Sequence, residues 1–353
     1  MARLRRADCS GPGFRRVRRG RGFTYLDEDD QPIDEPDVVE RLRSLGIPPA
    51  WKDVWICPWA HGHIQATGID AAGRKQYLYH PEWRTRRDAE KFDEMLSFAK
   101  DLPDLRSHVA EQLEASKELS RERVLACAVR LLDRGFFRIG TEEYAESNES
   151  FGLATMRKEH VRVEDDDTMV FDYPAKHGKR QVRAVVDPVA VEVVGKLKRR
   201  RGGGEELLAF KRGGRWIDLR SSDVNEYIKE VTGAGYSAKD FRTWNATVLA
   251  AVGLAVSGGV AGSKTGRKRA ISRAVKEVAH YLGNTPAVCR ASYIDPRVFD
   301  AYEGGLTIRP ALELAAEGPA GELAIHHQPA LEKAVLDLID ERASAPGIER
   351  LAA

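Results

Sequence analysis

Short segments in which apolar and polar residues alternate occupy the first part of the chain, and longer segments with apolar residues three or four positions apart follow them. Alternation is typical of half-buried strands, whereas the wider spacing is typical of amphipathic helices. Before Pro81 the pattern predicts one helix at 36–45 and strands at 23–26, 53–58, 63–70 and 75–80. After Pro81 it predicts helices at 90–102, 104–119 and 121–133.

The rest of the chain is predicted to be mainly helical, with a β-hairpin inserted at 162–185. Further helices are predicted at 188–199, 222–232, 243–256 and 270–282, with glycine-rich surface loops at 202–204 and 258–266. Two amphipathic segments, 311–316 and 329–342, look peripheral. This order predicts an α+β protein with a flexible basic arm, a small and mostly antiparallel β domain, a larger α-helical domain and a helical tail, at residues 1–22, 23–85, 86–306 and 307–353.

Charge is distributed unevenly along the chain, although the formal net charge is only +2. Residues 1–24 contain eight arginines and one aspartate, a local charge of +7. Residues 264–277 contain six basic side chains and one glutamate, a local charge of +5. Such segregation is typical of a protein that turns one face toward a polyanion, so a nucleic-acid partner is predicted.

The cysteines and the apolar segments exclude several other classes of protein. The four cysteines are far apart and show no paired spacing, which is typical of reduced thiols in a cytosolic protein. Cys57 with His61 and His63 lacks a fourth ligand nearby, so no metal site is expected there. The longest run of small apolar residues, 248–256, is too short to span a bilayer.

Three basic segments and one tyrosine carry the candidate chemistry. Arg138 lies in Phe-Arg-Ile-Gly, Lys176 in Ala-Lys-His-Gly-Lys, and Arg242 in Lys-Asp-Phe-Arg-Thr-Trp-Asn. Tyr293 follows in Ser-Tyr-Ile-Asp-Pro-Arg. A phenol has a pKa of about 10, so it attacks phosphorus at neutral pH only where cations surround the phosphate and a proton reaches the leaving oxygen. The basic segments are candidates to meet that need.

Taken in this order, these segments resemble the active site of a type IB DNA topoisomerase of the small bacterial and poxviral branch. The resemblance extends from about Arg74 to Arg297. It implies a catalytic domain of the tyrosine recombinase and type IB topoisomerase kind, in which Tyr293 cleaves one DNA strand through a 3′-phosphotyrosyl intermediate before rotation and religation. Neither ATP nor a metal or other cofactor is expected. We expect a cytoplasmic, nucleoid-associated monomer that clamps double-stranded DNA between its two domains.

The resemblance also assigns roles to the basic residues. In-line attack builds negative charge on the phosphate oxygens, which guanidinium groups bind through forked donors. This role falls to Arg138 and Arg242. The general acid that protonates the departing 5′ oxygen is Lys176, in a turn where the family has glycine at the position of Ala175. Lys179, three residues further on, is the competing candidate.

Asn284 departs from the commonest family pattern, which has histidine in Gly-His-Thr nine residues before the tyrosine. An amide NH₂ can donate a hydrogen bond to a non-bridging phosphate oxygen, but it carries neither a proton nor a positive charge. An acid or base role at this catalytic position is therefore not expected. His280, one helical turn earlier, is a candidate to compensate, although the favoured interpretation is that it is an ordinary helix residue.

Candidate DNA-binding residues lie in both predicted domains. In the β domain, a turn and the following strand present side chains suited to phosphate and base contacts, namely Arg74, Gln76, Tyr77 and Tyr79. The alternative is that these aromatic residues form half of a small core. In the helical domain Tyr144 resembles a DNA-contacting tyrosine of the family. The other candidates there are Lys239, Lys264 and Arg267, the last two in a basic loop expected to contact the DNA backbone.

Two other functions compete with the topoisomerase hypothesis. A tyrosine recombinase would use the same chemistry, but recombinases usually have histidine where this chain has Lys239, three residues before the second arginine. The β-rich first domain also favours the topoisomerase. A non-catalytic basic DNA-binding protein would leave the ordered set of motifs unexplained.

Overall fold

The computed structural model describes residues 3–257, 263–316 and 329–351. The chain divides into two compact units, Met1–Phe92 and Asp93–Ala353. Each unit has a β-sheet and a buried core of its own.

A five-stranded antiparallel sheet forms the first unit, in the order β2-β1-β3-β4-β5. Its strands are β1 Phe14–Arg19, β2 Gly22–Leu26, β3 Lys52–Ile56, β4 Ile64–Ile69 and β5 Lys75–Tyr79. Helix α1, Pro36–Ser44, buries Leu42 in a core that includes Ile56 and Ala66. The predicted antiparallel sheet is therefore confirmed.

Tyr77 and Tyr79 lie on the face of β5 that points away from this core, because Leu78 between them packs against it. Their side chains are 44% and 42% exposed, and their rings stack with centroids 6.1 Å apart. The alternative in which these tyrosines form half of a small core is therefore wrong.

Much of the segment expected to be a flexible arm is ordered in the structure. Phe14–Arg19 form β1, which lies between β2 and β3. Arg16 faces the interior side of this strand and donates to three carbonyl groups, Ile47 O at 2.7 Å, Pro48 O at 2.9 Å and Trp51 O at 3.0 Å. The sequence did not predict this strand because its many arginines suggested a solvated arm. One of them, Arg16, is a structural side chain, while its neighbours face water.

The second unit is mainly helical. Its helices are α2 Pro81–Glu114, which begins in the first unit, α3 Arg121–Gly135, α4 Glu142–Asn148, α5 Pro188–Arg199, α6 Ser221–Thr232, α7 Ala238–Val256, α8 Lys264–Leu282, α9 Pro286–Ser292, α10 Pro296–Glu303, α11 Arg309–Ala316 and α12 Pro329–Ile339. An antiparallel sheet contains β6 Val161–Val163, β7 Thr168–Ala175 and β8 Lys179–Val186. Two strand pairs are β9 Ala209–Arg212 with β10 Arg215–Asp218, and β11 Leu306–Thr307 with β12 Glu349–Arg350.

Helix α2 differs from the prediction, which divided it near Pro103 into two helices. The structure has one helix of 34 residues with Pro103 inside it. Proline removes one helical hydrogen bond, but buried residues on both sides keep the apolar face continuous, among them Phe98, Leu102 and Leu105. Tertiary packing therefore overrides the local break.

Helix α7 is the central helix of the second unit, and Trp244 on it is fully buried. Helix α12 packs against α7, with Leu331 and Val335 buried. Glu332 of α12 accepts hydrogen bonds from Arg106 at 2.6 and 2.8 Å. The expectation that the segment 329–342 is peripheral is therefore wrong, since its helix completes the core.

Within the described ranges, no helix combines the length and the apolar character needed to cross a membrane.

Candidate active site

Helix α3 ends beside the predicted site, and its ending sets the direction of Arg138. Phe136, just after the helix, adopts the left-handed conformation with φ 55°. Such a residue turns the chain sharply away from the helix axis. Phe137 enters the core, where its ring centroid lies 4.8 Å from that of Phe171, and Arg138 is left half-buried at the edge.

Three arginines donate hydrogen bonds to three successive carbonyl groups at the end of α8. The pairs are Arg183 with Tyr281 O, Arg242 with Leu282 O at 2.9 Å, and Arg138 with Gly283 O at 3.3 Å. The carboxyl end of a helix carries a partial negative charge, which favours cations there. We call Arg138, Arg183 and Arg242 the arginine cluster.

Arg242 is the most deeply buried member of the cluster, with 4% of its surface exposed. Burial, together with the charges of Arg138 and Arg183, lowers its pKa to about 10, so it is still protonated at neutral pH. It also donates to Phe136 O, and its Cζ lies 5.4 Å from the centroid of the Tyr293 ring. The guanidinium is therefore held next to the predicted nucleophile.

The cluster carries more positive charge than its protein partners neutralise. In the part of the chain that the structure describes, its hydrogen-bond acceptors are backbone carbonyl and side-chain amide oxygens, not carboxylates. The Nε atoms of Arg183 and Arg242 are buried there without a hydrogen-bond partner. Such an arrangement favours the entry of an anion.

Asn284 follows Gly283, whose backbone adopts the left-handed conformation. The backbone N–H of Asn284 caps the end of α8 by donating to Ala279 O at 2.9 Å. Its side-chain oxygen accepts a hydrogen bond from Arg138 at 2.5 Å. Its Nδ2 is buried and has no hydrogen-bond partner among the described residues. The amide is thus oriented by Arg138 with its donor free, while His280 is exposed on the preceding turn of the helix.

Tyr293 is half-buried at the end of α9, and both of its backbone polar groups are engaged. Its N–H donates to Cys289 O at 3.0 Å, and its carbonyl accepts from Thr247 Oγ1 at 3.4 Å. The buried Asp295 caps the next helix by accepting from Arg297 N at 2.9 Å. These contacts fix the backbone that carries the phenol.

The two candidate lysines lie at the tip of the β7–β8 hairpin, and both side chains are exposed. Lys176 lines a cavity of about 260 Å³ together with Arg138 and Tyr144. Lys179 lines a second cavity, of about 400 Å³, together with Asn284 and other residues at the end of α8. Each lysine is therefore adjacent to a different predicted site residue, and both remain candidates for the general acid.

Sequence reasoning missed Arg183. Its position in β8 is directly opposite Phe171 of β7, so it is on the face of the sheet that packs into the core. Burial lowers the pKa of its guanidinium. A signal was present in the sequence, because Arg183 lies two positions before the inward-facing Val185. Strand alternation places both side chains on the same, inner face.

The candidate DNA-binding residues of the first unit fall into two pairs. Arg74 Nε and Gln76 Nε2 both donate to Asp70 Oδ2, at 3.0 and 2.9 Å. Hydrogen bonds from the backbone and side chain of Arg74 lower the pKa of Asp70 to about 2. This carboxylate holds the first pair in place, whereas Tyr77 and Tyr79 are exposed on the sheet surface.

The candidates of the second unit lie on helices. Tyr144 is on α4 and Lys239 is an exposed residue in the first turn of α7. Lys264 and Arg267, expected in a loop, form the first turn of α8, where Ser263 Oγ accepts from Gly266 N at 3.0 Å. The helix predicted at 270–282 thus begins at Lys264, and residues 258–262 of the predicted loop lie outside the described residues.

Two family models match the chain. The model for the catalytic core of eukaryotic DNA topoisomerase I matches residues 80–306, and the model for the N-terminal domain of bacterial DNA topoisomerase IB matches residues 22–70. The chain therefore belongs to the type IB DNA topoisomerase family, and it is an isomerase that acts on DNA. The predicted fold class, a β-rich first domain and a mainly helical catalytic core, is confirmed.

Relatives place the chain in the small bacterial and viral branch of that family. DNA topoisomerase 1B of Acanthamoeba polyphaga mimivirus is 27% identical over 305 residues, which are 82% of this chain and 88% of the relative. DNA topoisomerase I of Monkeypox virus is 22% identical over 271 residues, 76% of this chain and 82% of the relative. DNA topoisomerase 1 of Daucus carota is 26% identical over 232 residues, 62% of this chain but only 26% of that protein.

Proposed function

We propose that this enzyme relaxes supercoiled DNA by cutting one strand with Tyr293, allowing the free end to rotate, and rejoining the strand. The observation that supports this proposal best is the arginine cluster beside Tyr293, whose charge is balanced by no carboxylate within the described ranges. A phosphodiester is the anion that Arg138 and Arg242 of this cluster would bind in a DNA topoisomerase.

The reaction exchanges one phosphodiester for another. The phenolic oxygen of Tyr293 forms a bond to phosphorus while the bond from phosphorus to the 5′ oxygen breaks, which leaves a 3′-phosphotyrosyl link and a free 5′ hydroxyl. The phenol proton goes to solvent, and a hairpin lysine, Lys176 or Lys179, supplies the proton that the 5′ oxygen needs. Because the bonds broken and formed are equivalent, no ATP is required, and the guanidinium groups supply positive charge without a metal.

The arginines and Asn284 would stabilise the transition state rather than transfer protons. Arg138 and Arg242 remain charged and present several N–H donors to the equatorial phosphate oxygens. The free Nδ2 of Asn284 adds a neutral donor to a non-bridging oxygen. This division leaves the hairpin lysine as the group that exchanges a proton with the leaving oxygen.

The proposal extends to how the enzyme binds its substrate. The exposed Tyr77 and Tyr79 of the first unit and the basic first turn of α8 in the second unit suit contacts to bases and phosphates. We therefore propose that a monomer holds the duplex with both units while the cut strand rotates, at the nucleoid.

Relaxation of plasmid DNA should proceed with EDTA present and ATP absent, for both positive and negative supercoils. Rotation about one nick releases torsion of either sign, so neither an energy source nor a metal is needed. Agarose gels of plasmids supercoiled in each direction measure this, and the Tyr293→Phe variant controls for contaminating enzymes. Loss of activity on chelation would contradict the metal-free mechanism.

Removal of exposed arginines at the β1–β2 turn should weaken the salt dependence of DNA binding. Arg18, Arg19 and Arg21 are exposed, whereas deletion of the whole segment would also remove β1 from the sheet. Each phosphate contact contributes about 0.9 to the slope of log affinity against log salt concentration. If all three arginines contact phosphates, the slope of the triple serine variant should be shallower by about three such contributions.

The matched control for this variant removes the same charge elsewhere, by serine at Arg201, Arg212 and Arg215, which are exposed around the β9–β10 hairpin. Fluorescence anisotropy with a labelled duplex at several salt concentrations gives both slopes. Equal slopes for the two triple variants would mean that the turn does not contact DNA.

A further inference from the structure

Arg183 joins two parts of the active site that come from distant points in the sequence. It lies on β8, the strand that leads away from the lysine-bearing turn, and donates to Tyr281 O at the end of α8. The same nitrogen donates to Gln181 Oε1 at 2.9 Å, and the guanidinium interacts electrostatically with the phenol of the buried Tyr173 on β7. One side chain therefore ties β8 of the hairpin to the helix end.

A second contact supports the same attachment. The amide of Gln181 lies against Gly283, since a side-chain carbon added at Gly283 would lie 3.0 Å from it. Gly283 has φ 63°, in the region that favours glycine, and it directly precedes Asn284. The inward-facing side of β8 therefore packs against Gly283, the residue directly before Asn284.

The attached strand begins with one of the two candidate general acids. Lys179, Gln181 and Arg183 share one face of β8 because side chains alternate along a strand, and Lys176 is in the turn just before it. Lys179 and Arg183 line one cavity with Asn284. Movement of the hairpin away from α8 would therefore separate the lysines from the group that Asn284 binds.

A positively charged side chain at position 183 is energetically unfavourable for a purely structural contact. Desolvation and the neighbouring Arg138 both disfavour its charged form and lower its pKa, and its Nε is buried without a partner among the described residues. The side chain is half-buried, and it gains no ion pair with a carboxylate among the described residues to offset this desolvation, so stability alone does not explain an arginine here.

We propose that Arg183 is a positioning residue, which fixes the hairpin to the end of α8 so that the hairpin lysine reaches the 5′ oxygen of the phosphate bound by Asn284 and Arg138. This inference rests on the proposed function. It predicts that loss of Arg183 impairs protonation of the leaving group more than binding of the phosphate.

The test compares two leaving groups in single-turnover cleavage. One duplex carries the ordinary 5′ oxygen at a cleavage site mapped with the parent enzyme, and the other carries sulfur at that bridging position. A thiolate leaves without protonation because its pKa is far lower than that of an alcohol. On the oxygen substrate, Arg183→Ala should be slower by about 10²-fold, the usual effect of misplacing a catalytic group by about 1 Å. On the sulfur substrate it should approach the parent rate.

A milder variant keeps the test decisive if Arg183→Ala does not fold. Gln181→Ala removes the contact with Gly283 and one acceptor of Arg183 but keeps the bond from Arg183 to Tyr281 O, so it should show a smaller deficit with the same dependence on the leaving group. The matched control is Arg162→Ala on β6, whose exposed side chain pairs with Glu164 outside the site. Thermal unfolding and duplex binding are measured for every variant.

The outcomes separate this inference from the proposed function. Equal losses on the oxygen and sulfur substrates would overturn the positioning role, since the defect would then lie in phosphate binding or folding. A parent enzyme that forms no adduct with either substrate would instead contradict the proposed function. A deficit confined to the oxygen substrate supports the inference.

Discussion

Tyr293→Phe should bind duplex DNA nearly as tightly as the parent enzyme and form no covalent adduct with it. The substitution removes only the phenolic oxygen, and the ring beside Arg242 and the backbone contacts to Cys289 and Thr247 are retained. Since this oxygen is the proposed nucleophile, relaxation should fall below detection. A labelled duplex resolved on an SDS gel measures the adduct, and anisotropy measures binding.

The matched control for this variant is Tyr236→Phe, which also removes one hydroxyl. That hydroxyl donates to Asp101 at 2.8 Å, outside the site, so trapping and relaxation should persist. A protein–DNA adduct that survives in Tyr293→Phe would assign the nucleophile to another residue, and Tyr281, with its side chain 51% exposed at the end of α8, is the next candidate.

Substitutions at Asn284 should have the second largest effect, because this side chain has two separable contacts. Its oxygen orients Arg138, and its free Nδ2 is the proposed donor to phosphate. Asn284→Ala loses both, and loss of one donor of this kind typically costs about 10²–10³ in rate. Asn284→Asp keeps the acceptor for Arg138 but replaces the donor with a negative charge, so it should lose at least as much activity as the alanine variant.

Histidine at this position completes the series. A neutral imidazole has one acceptor and one donor, so Asn284→His should keep much of the activity. Its rate should show an ionisation near the ordinary histidine pKa of about 6.5, whereas the parent should show none from this position. Single-turnover cleavage between pH 5 and 9 measures both profiles. If Asn284→Ala or Asn284→Asp cleaved at the parent rate, Asn284 would have no role in binding phosphate, and His280 or a backbone amide would have to supply the donor.

Much of the architecture follows from local patterns in the sequence. Alternation identified β5 and placed Tyr77 and Tyr79 on one face, and three- and four-residue spacing identified α3, α7 and most of α8. These signals are local because an amphipathic element must present one apolar face to a core. The ordered motifs likewise named Arg138, Arg242, Asn284 and Tyr293, which the structure brings together.

The errors share a physical cause, since each depends on contacts between residues far apart in sequence. The basic first segment looked flexible because the carbonyl partners of Arg16 lie more than thirty residues away. Helix α12 looked peripheral because the partner of Glu332, Arg106, is 226 residues away. Arg183 was missed because its importance depends on the end of α8, which only the fold brings to β8.

The carbonyl groups at the end of α8 bear on how freely the proposed reaction can run backward. Because they hold the arginines by backbone oxygens that stay in place, an arriving phosphate would displace no carboxylate, and little rearrangement would accompany binding. The same donors would surround the phosphorus before and after it is transferred to Tyr293. The intact strand and the phosphotyrosyl intermediate would then be similar in free energy. Religation would therefore compete with rotation for as long as the strand is broken.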